Sequence, residues 1–113
     1  MPALNALLAA PPFPVEAALK KLGTDLRTAR VRRNLTLDEV AEKIGVSRQV
    51  VARAESGKSS IGIAVYAALL WTFGLLEELA DIADPSKDQE GLALIRTRDP
   101  SKAYRIEPLD NDF

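Results

Sequence analysis

The residue types best able to make specific contacts cluster between Ser47 and Gly57. Arginine and glutamine carry paired hydrogen-bonding groups that can match the edges of guanine and adenine. Helical spacing places Arg48, Gln49 and Arg53 on one outward side of this segment, opposite its apolar positions. An ordinary solvated helix face has the same composition. The pattern alone therefore leaves both interpretations open.

The composition argues against an enzyme. The 113 residues contain no cysteine and no histidine, which excludes disulfides, thiolate or imidazole zinc sites, cysteine nucleophiles and Ser-His-Asp triads. No pair of nucleophile and base and no phosphate-cradling loop is visible, so no catalytic residue, metal or cofactor is predicted. Four carboxylates lie close together on one short segment, but they lack converging ligands and are interpreted as a solvated face or a surface for a basic partner: Glu77, Glu78, Asp81 and Asp84.

Charge is distributed unevenly along the chain. The net charge is -1, yet residues 14–63 hold ten Lys or Arg against six Asp or Glu. Residues 74–90 hold one Lys against six Asp or Glu. Because association depends on the local field, a mildly basic module followed by an acidic one is compatible with a polyanionic partner.

Apolar periodicity predicts an all-α fold of five helices. Thr36 and Glu39 have the spacing of a capping box, and Gly45 is suited to end the short helix that follows. Ser47 can cap the next helix, which Gly57 ends. Two short helices joined by a glycine turn make a helix-turn-helix unit. The five predicted helices span about 14–33, 36–44, 47–57, 61–73 and 75–82.

Three regions are predicted along the chain. Residues 1–13 lack the positive flank of a signal peptide and are too short to span a bilayer. They are interpreted as a flexible tail, with a short partner-binding arm as the alternative. Residues 14–84 form the helix-turn-helix domain. Residues 85–113 form a C-terminal extension that is a possible dimer or partner contact. In it, LALIRTR fits a helix capped by Ser86 or a strand equally well. A soluble, cytoplasmic protein is expected.

The helix over residues 61–73 is apolar on nearly every side, and only one side can meet the domain's own core. A second buried surface is therefore expected, most simply in a homodimer. Trp71 is the favoured anchor, although a tryptophan in the core fits the pattern as well. The predicted interface residues are Val65, Leu69, Trp71 and Phe73.

The stretch LTLDEVAEKIGVSRQVVARAESGKSS resembles the lambda-repressor-like, or XRE, family of helix-turn-helix regulators. The family pattern is matched by the Leu-Thr start at Leu35, by the turn from Ala41 to Gly45 and by the Glu-x-Gly ending at Glu55. The resemblance covers roughly residues 22–73. One departure is Leu37, where family members often carry a glutamine that reaches a DNA phosphate.

The resemblance implies that the helix beginning after Ser47 enters the major groove of operator DNA. Arg48, Gln49, Val50 and Arg53 would then be base contacts, with a half-buried packing role as the alternative for Val50. Phosphate contacts are expected from Ser47, Ser56, Lys58 and Ser59. Arg30 and Glu55 resemble the internal ion pair of the family, whose role is structural.

The wider arrangement of the sequence resembles HipB-type antitoxins, which pair with HipA-type kinase toxins. It combines an FPVEAALKKLG entry, the acidic LLEELADIAD segment and a GLAL stretch. The resemblance implies a homodimer that represses its own operon and binds the kinase. Two alternatives stay open, namely a phage-type or metabolic repressor without a toxin, and a protein-interaction module that has lost DNA binding.

Overall fold

The computed structural model describes the backbone of residues 2–98 and the side chains of residues 6–98. This part of the chain holds seven α-helices, one short 3₁₀ helix and no β-strand. The all-α prediction is confirmed, and one helix is added at each end of the predicted five. The elements are α1 (Pro2–Ala9), α2 (Phe13–Arg32), α3 (Leu37–Ile44), α4 (Arg48–Glu55), α5 (Ile63–Thr72), α6 (Leu76–Ala80), the 3₁₀ helix Pro85–Lys87 and α7 (Gln89–Thr97).

The chain divides between Leu79 and Ala80 into two compact units. The first contains α1 to α5 and carries the hydrophobic core. The second contains the 3₁₀ helix and α7, and none of its described residues is buried. The division falls earlier than the predicted start of the C-terminal extension at residue 85. Residues 99–113 of that extension lie outside the described residues.

Helix α2 is continuous through Gly23, which the sequence marks as a possible interruption. A Cβ atom on Gly23 would lie 2.6 Å from the carbonyl oxygens of both Ala54 and Glu55. Glycine is therefore required here because the backbone at the end of α4 approaches α2 too closely for any side chain. Gly23 sets the distance between these two helices.

The helix-turn-helix unit is formed by α3 and α4 as the local signals predict. Thr36 Oγ1 accepts a hydrogen bond from Glu39 N, and Glu39 Oε1 accepts one from Thr36 N at 2.9 Å. Gly45 ends α3 with φ of 79°, a left-handed conformation that suits glycine. Ser47 then caps α4 by accepting from Val50 N. These local bonds determine the angle at which α4 leaves the turn.

The core is formed by α2, α3, α4 and α5 around small and branched apolar side chains. Leu26, Val40, Val51 and Leu69 are the largest fully buried side chains. Leu69 and Phe73 are 1% and 5% exposed, so their assignment to a dimer interface is wrong: both pack inside the protomer. Trp71 is 60% exposed and lies on the opposite side of α5 from this core, and Val65 is half-buried.

Arg33 ties the end of α2 to the end of α5. One guanidinium nitrogen donates to Ala29 O at 2.8 Å, and the other donates to Phe73 O at 3.1 Å. The guanidinium also lies over the Phe73 ring, 5.2 Å from its centroid. A cation over an aromatic face is attracted by the ring quadrupole. Arg33 is therefore a structural residue that holds α5 against α2.

The N-terminal segment differs from the flexible tail predicted over residues 1–13. Residues Pro2–Ala9 form α1, a helix rich in alanine and leucine, both strong helix formers. Ser59 Oγ donates a hydrogen bond of 2.7 Å to the carbonyl oxygen of Leu8 at the end of this helix. The segment is thus attached to the loop between α4 and α5.

The stretch LALIRTR is helical, which resolves the choice between helix and strand. Helix α7 is capped by Asp88, whose carboxylate accepts from Gly91 N at 2.9 Å, and not by Ser86. Its apolar side chains Leu92, Leu94 and Ile95 are all exposed.

Candidate nucleic-acid interface

The two faces of α4 have different roles. Val51 and Ala54 have no exposed surface and anchor the helix in the core, while Arg48, Gln49 and Arg53 are exposed on the other side. Helical geometry enforces this division, because residues three and four apart share a face. The core therefore fixes the orientation of the polar face.

The side chains on this polar face are free of internal partners. Within residues 6–98, Arg48, Gln49 and Arg53 make no side-chain hydrogen bond and no ion pair. By contrast, Lys20 and Lys21 on α2 are paired with Glu16 and Asp25. The guanidinium and amide donors of α4 are thus available to a ligand. Val50 beside them is half-buried, and its predicted base contact stays a prediction.

The serine hydroxyls predicted to contact phosphate are not equally available. A phosphate oxygen needs a donor, and a serine hydroxyl has one hydrogen to donate. Ser47 Oγ only accepts, from Val50 N, so its hydrogen is free. Ser56 Oγ donates to Ala52 O at 3.1 Å, and Ser59 Oγ donates to Leu8 O at 2.7 Å. Among the described residues, Ser47 has no acceptor for its hydrogen, whereas Ser56 and Ser59 would first have to release their carbonyl partners. The three phosphate contacts stay predictions.

Lys58 stands at the start of the loop between α4 and α5, with its side chain exposed. Its backbone is held on both sides, because its amide donates to Arg53 O at 3.1 Å and its carbonyl accepts from Tyr66 Oη at 2.9 Å. Burial raises the pKa of Tyr66 above its ordinary value. A neutral phenol thus fixes the position from which the Lys58 ammonium projects.

The N-termini of α3 and α5, both in the first unit, lie close in the chain to the predicted DNA-contact residues. Helix α5 begins after Gly62 without a side-chain cap, and Val65 N donates to Gly62 O, so the amides of Ile63 and Ala64 are the ones open to an acceptor. At α3 the Thr36–Glu39 box already satisfies two amides. Leu37, in the position where the family often has glutamine, packs against the edge of the core. That side chain contributes to packing and cannot donate to a phosphate.

The structure brings Arg30 and Glu55 together. Arg30 Nε donates to Glu55 Oε2 at 2.7 Å, and an Arg30 terminal nitrogen donates to Glu55 Oε1 at 3.0 Å. The other terminal nitrogen donates to Leu35 O at 2.9 Å. Hydrogen bonding to Glu55 raises the pKa of Arg30 against the opposing effect of desolvation. One side chain therefore joins α2, the chain entering α3 and the end of α4.

Residues 26–75 match a protein-family model described as Helix-turn-helix. The match supports a helix-turn-helix domain of the lambda-repressor-like type over these residues. The domain is that of a DNA-binding transcription regulator, a class that is typically non-enzymatic. The matched span contains all four residues predicted to contact bases. It begins within α2, at the buried Leu26. No curated protein and no solved structure matches the chain significantly.

Three contacts of the domain have no clear signal in the sequence. The Tyr66 bond to Lys58, the Arg33 bond to Phe73 and the close approach at Gly23 join residues from different elements. In the sequence pattern, Tyr66 is one more apolar residue of α5. Arg33 is a cation at the end of a helix, where it would complement the helix dipole. For Gly23, the available signal is that a glycine inside a helical pattern often marks close packing.

Two further points concern the acidic residues and the membrane. Within the described residues, no three carboxylates are grouped closely enough to hold a metal ion. The acidic side chains Glu77, Glu78 and Asp81 are exposed. None of the described helices has the length and apolar character needed to cross a membrane.

Proposed function

We propose that the protein is a sequence-specific transcriptional repressor whose helix α4 reads the major groove of operator DNA. Arg48 and Gln49, in the first turn of α4, are placed to read base edges, and Arg53 lies one turn later. Arginine pairs bidentately with guanine, and glutamine pairs with adenine. Val50 would contribute an apolar contact to a thymine methyl.

The observation that carries this proposal is the free polar face of α4. A helix whose inner residues are fully buried cannot rotate, and its outer Arg48, Gln49 and Arg53 have no partner among the described residues. Donors without an internal partner can bind a ligand without first breaking an internal bond. The match of residues 26–75 to a DNA-binding family supports the same assignment.

Phosphate contacts would set the register of α4 on the duplex. The candidates are Lys58, the free hydroxyl of Ser47 and the uncapped N-terminus of α5. Such contacts position a protein but carry no direct sequence information. Two bonds support this role: the Tyr66 hydroxyl holds the Lys58 carbonyl to α5, and the Lys58 amide donates to Arg53 O on α4.

We further propose a homodimer that binds two half-sites about 34 Å apart, one helical turn of DNA. With Leu69 and Phe73 buried in the core, the contact would be made by the exposed side of α5, with Trp71 as its anchor and Val65 at its edge. A largely exposed tryptophan is a frequent energetic centre of interfaces. Burying it in a dimer would also bring two copies of α4 to one operator.

The antitoxin of a HipBA-like system is the preferred biological role. A HipA-like kinase would then be bound as a separate partner and would supply the chemistry. Support comes from the second unit, where acidic residues adjoin a helix whose Leu92, Leu94 and Ile95 are all exposed. A repressor without a toxin, or an interaction module without DNA binding, is the alternative.

The test is binding of the purified protein to DNA upstream of its own gene, measured by fluorescence anisotropy over a range of salt. A DNA-binding protein should lose affinity steeply with salt, because phosphate contacts release counterions. An interaction module should show no such slope. A kinase-like reading frame directly downstream, whose product co-purifies with this chain, would support the antitoxin role.

A further inference from the structure

The loop between α4 and α5 is held by two different kinds of contact. Bonds inside the domain fix its backbone: Gly57 N donates to Ala54 O, Lys58 N to Arg53 O, and Tyr66 Oη to Lys58 O. The contact with α1 fixes only a side chain, through the 2.7 Å bond from Ser59 Oγ to Leu8 O. Helix α1 is therefore not needed to shape the loop.

The fit between α1 and the loop is also loose. A cavity of about 280 Å³ lies beside the Ser59–Leu8 bond, lined by residues of α1, by Leu19 and Lys20 on α2, and by the loop residues Gly57 to Ser59. Leu7 and Leu8 stay 53% and 42% exposed, and none of residues 6–9, the part of α1 whose side chains are described, belongs to the hydrophobic core. A helix attached in this way can leave the loop without disturbing the domain.

We propose that α1 is an autoinhibitory helix that withholds the Ser59 hydroxyl from DNA phosphate. This inference rests on the proposed DNA-binding function and deepens it. The hydroxyl has one hydrogen, and the Leu8 carbonyl takes it. When α1 leaves, Ser59 can donate to a phosphate beside the ammonium of Lys58, which is next to it in the chain. Any partner that binds α1 would thereby strengthen DNA binding.

The test uses the full chain and four variants. Ala6→Pro should break α1, because proline removes a helical hydrogen bond and clashes with the preceding turn. Ala6→Ser is the matched control at the same exposed position. Two double variants also carry Ala6→Pro. In the first, Ser59→Ala removes the hydroxyl; in the second, Ser59→Thr retains a hydroxyl at this position. Circular dichroism should give the same Tm for all of them within a few degrees, since both substituted residues lie outside the core.

Ala6→Pro should tighten DNA binding roughly two- to tenfold, the value of one added hydrogen bond. Adding Ser59→Ala should cancel the gain, and adding Ser59→Thr should keep it. A gain that survives Ser59→Ala, or an unchanged or weaker affinity for Ala6→Pro, overturns the inference while DNA binding itself stands. If none of the proteins, wild type included, binds DNA in a salt-dependent way, the proposed function fails instead.

Discussion

Glu55 at the end of α4 accepts two hydrogen bonds from the guanidinium of Arg30 on α2, at 2.7 and 3.0 Å. The side chains of Arg30 and Glu55 are only 12% and 8% exposed. Because Arg30 also donates to Leu35 O, the pair connects the helix that carries the proposed base contacts to the scaffold behind it.

Glu55→Ala should therefore lower the free energy of unfolding by roughly 3 kcal/mol, the lower end for a buried pair, because a guanidinium is left without its partner. Urea denaturation measures this loss. The matched control is Glu16→Ala, which removes an exposed partner of Lys20 and should cost under about 1 kcal/mol. Equal losses in the two variants would show that the buried Arg30–Glu55 pair stabilises the fold no more than an exposed pair does.

Gly23→Ala should destabilise the fold by about 1 to 3 kcal/mol, although alanine is the better helix former. The added Cβ would lie 2.6 Å from two carbonyl oxygens of α4 and force the helices apart. Gly62→Ala is the control, since its Cβ would meet nothing within 4 Å, and it should cost under about 1 kcal/mol. A Gly23→Ala protein as stable as wild type would contradict the close approach.

Stability should also fall at alkaline pH through Tyr66. Burial raises its pKa in the folded protein above the unfolded value of about 10. The folded state thus holds the proton more tightly, so this contribution is complete below about pH 10 and is lost as pH rises through the folded pKa.

Tyr66→Phe provides the measurement. At pH 8 it should cost roughly 1 kcal/mol for the lost bond to Lys58 O. Between pH 8 and 11 its stability should fall less than that of wild type in parallel urea titrations. Identical pH profiles for the two proteins would exclude a buried phenol at this position.

Trp71→Ala and Leu69→Ala should separate interface from core on α5. Leu69 is fully buried, so its truncation should cost about 2 to 5 kcal/mol of unfolding free energy. Trp71 is 60% exposed, so its truncation should leave protomer stability nearly unchanged and weaken dimerisation. Sedimentation at micromolar concentration is the readout.

A chain cut after Pro85 completes the dimer experiment. The truncated chain should stay dimeric if α5 makes the contact. A dimer lost only on truncation would move the interface to the C-terminal extension, and a wild-type monomer would contradict dimerisation altogether.

The elements that the sequence predicted well are defined by local signals. Thr36, Glu39 and Gly45 act within a few residues of one another, so the start and end of α3 follow from spacing. The same holds for Ser47 at the start of α4. Periodicity alone placed the polar face of α4 outside, and the family resemblance supplied the assignment of that face to bases.

What the sequence could not predict depends on contacts between distant residues. On α5, apolar side chains on every side gave no polar boundary, so buried Leu69 and exposed Trp71 looked alike. The Ser59 bond to Leu8 joins residues far apart in the chain, and it changes which hydroxyls are free. The sequence did not predict that α1 is helical, because two prolines end its apolar stretch after few residues.

The central claim is that α4 reads DNA sequence through Arg48. The direct measurement is anisotropy binding of wild type and Arg48→Ala to the operator and to single-base variants of it, with Lys58→Ala for comparison and Arg96→Ala, on α7, as a charge control. Arg48→Ala should lose about 1 to 3 kcal/mol and relax preference at one base position. Lys58→Ala should weaken all sequences similarly and lower the salt slope by about 1. Unchanged affinity and unchanged base preference for Arg48→Ala would contradict the account.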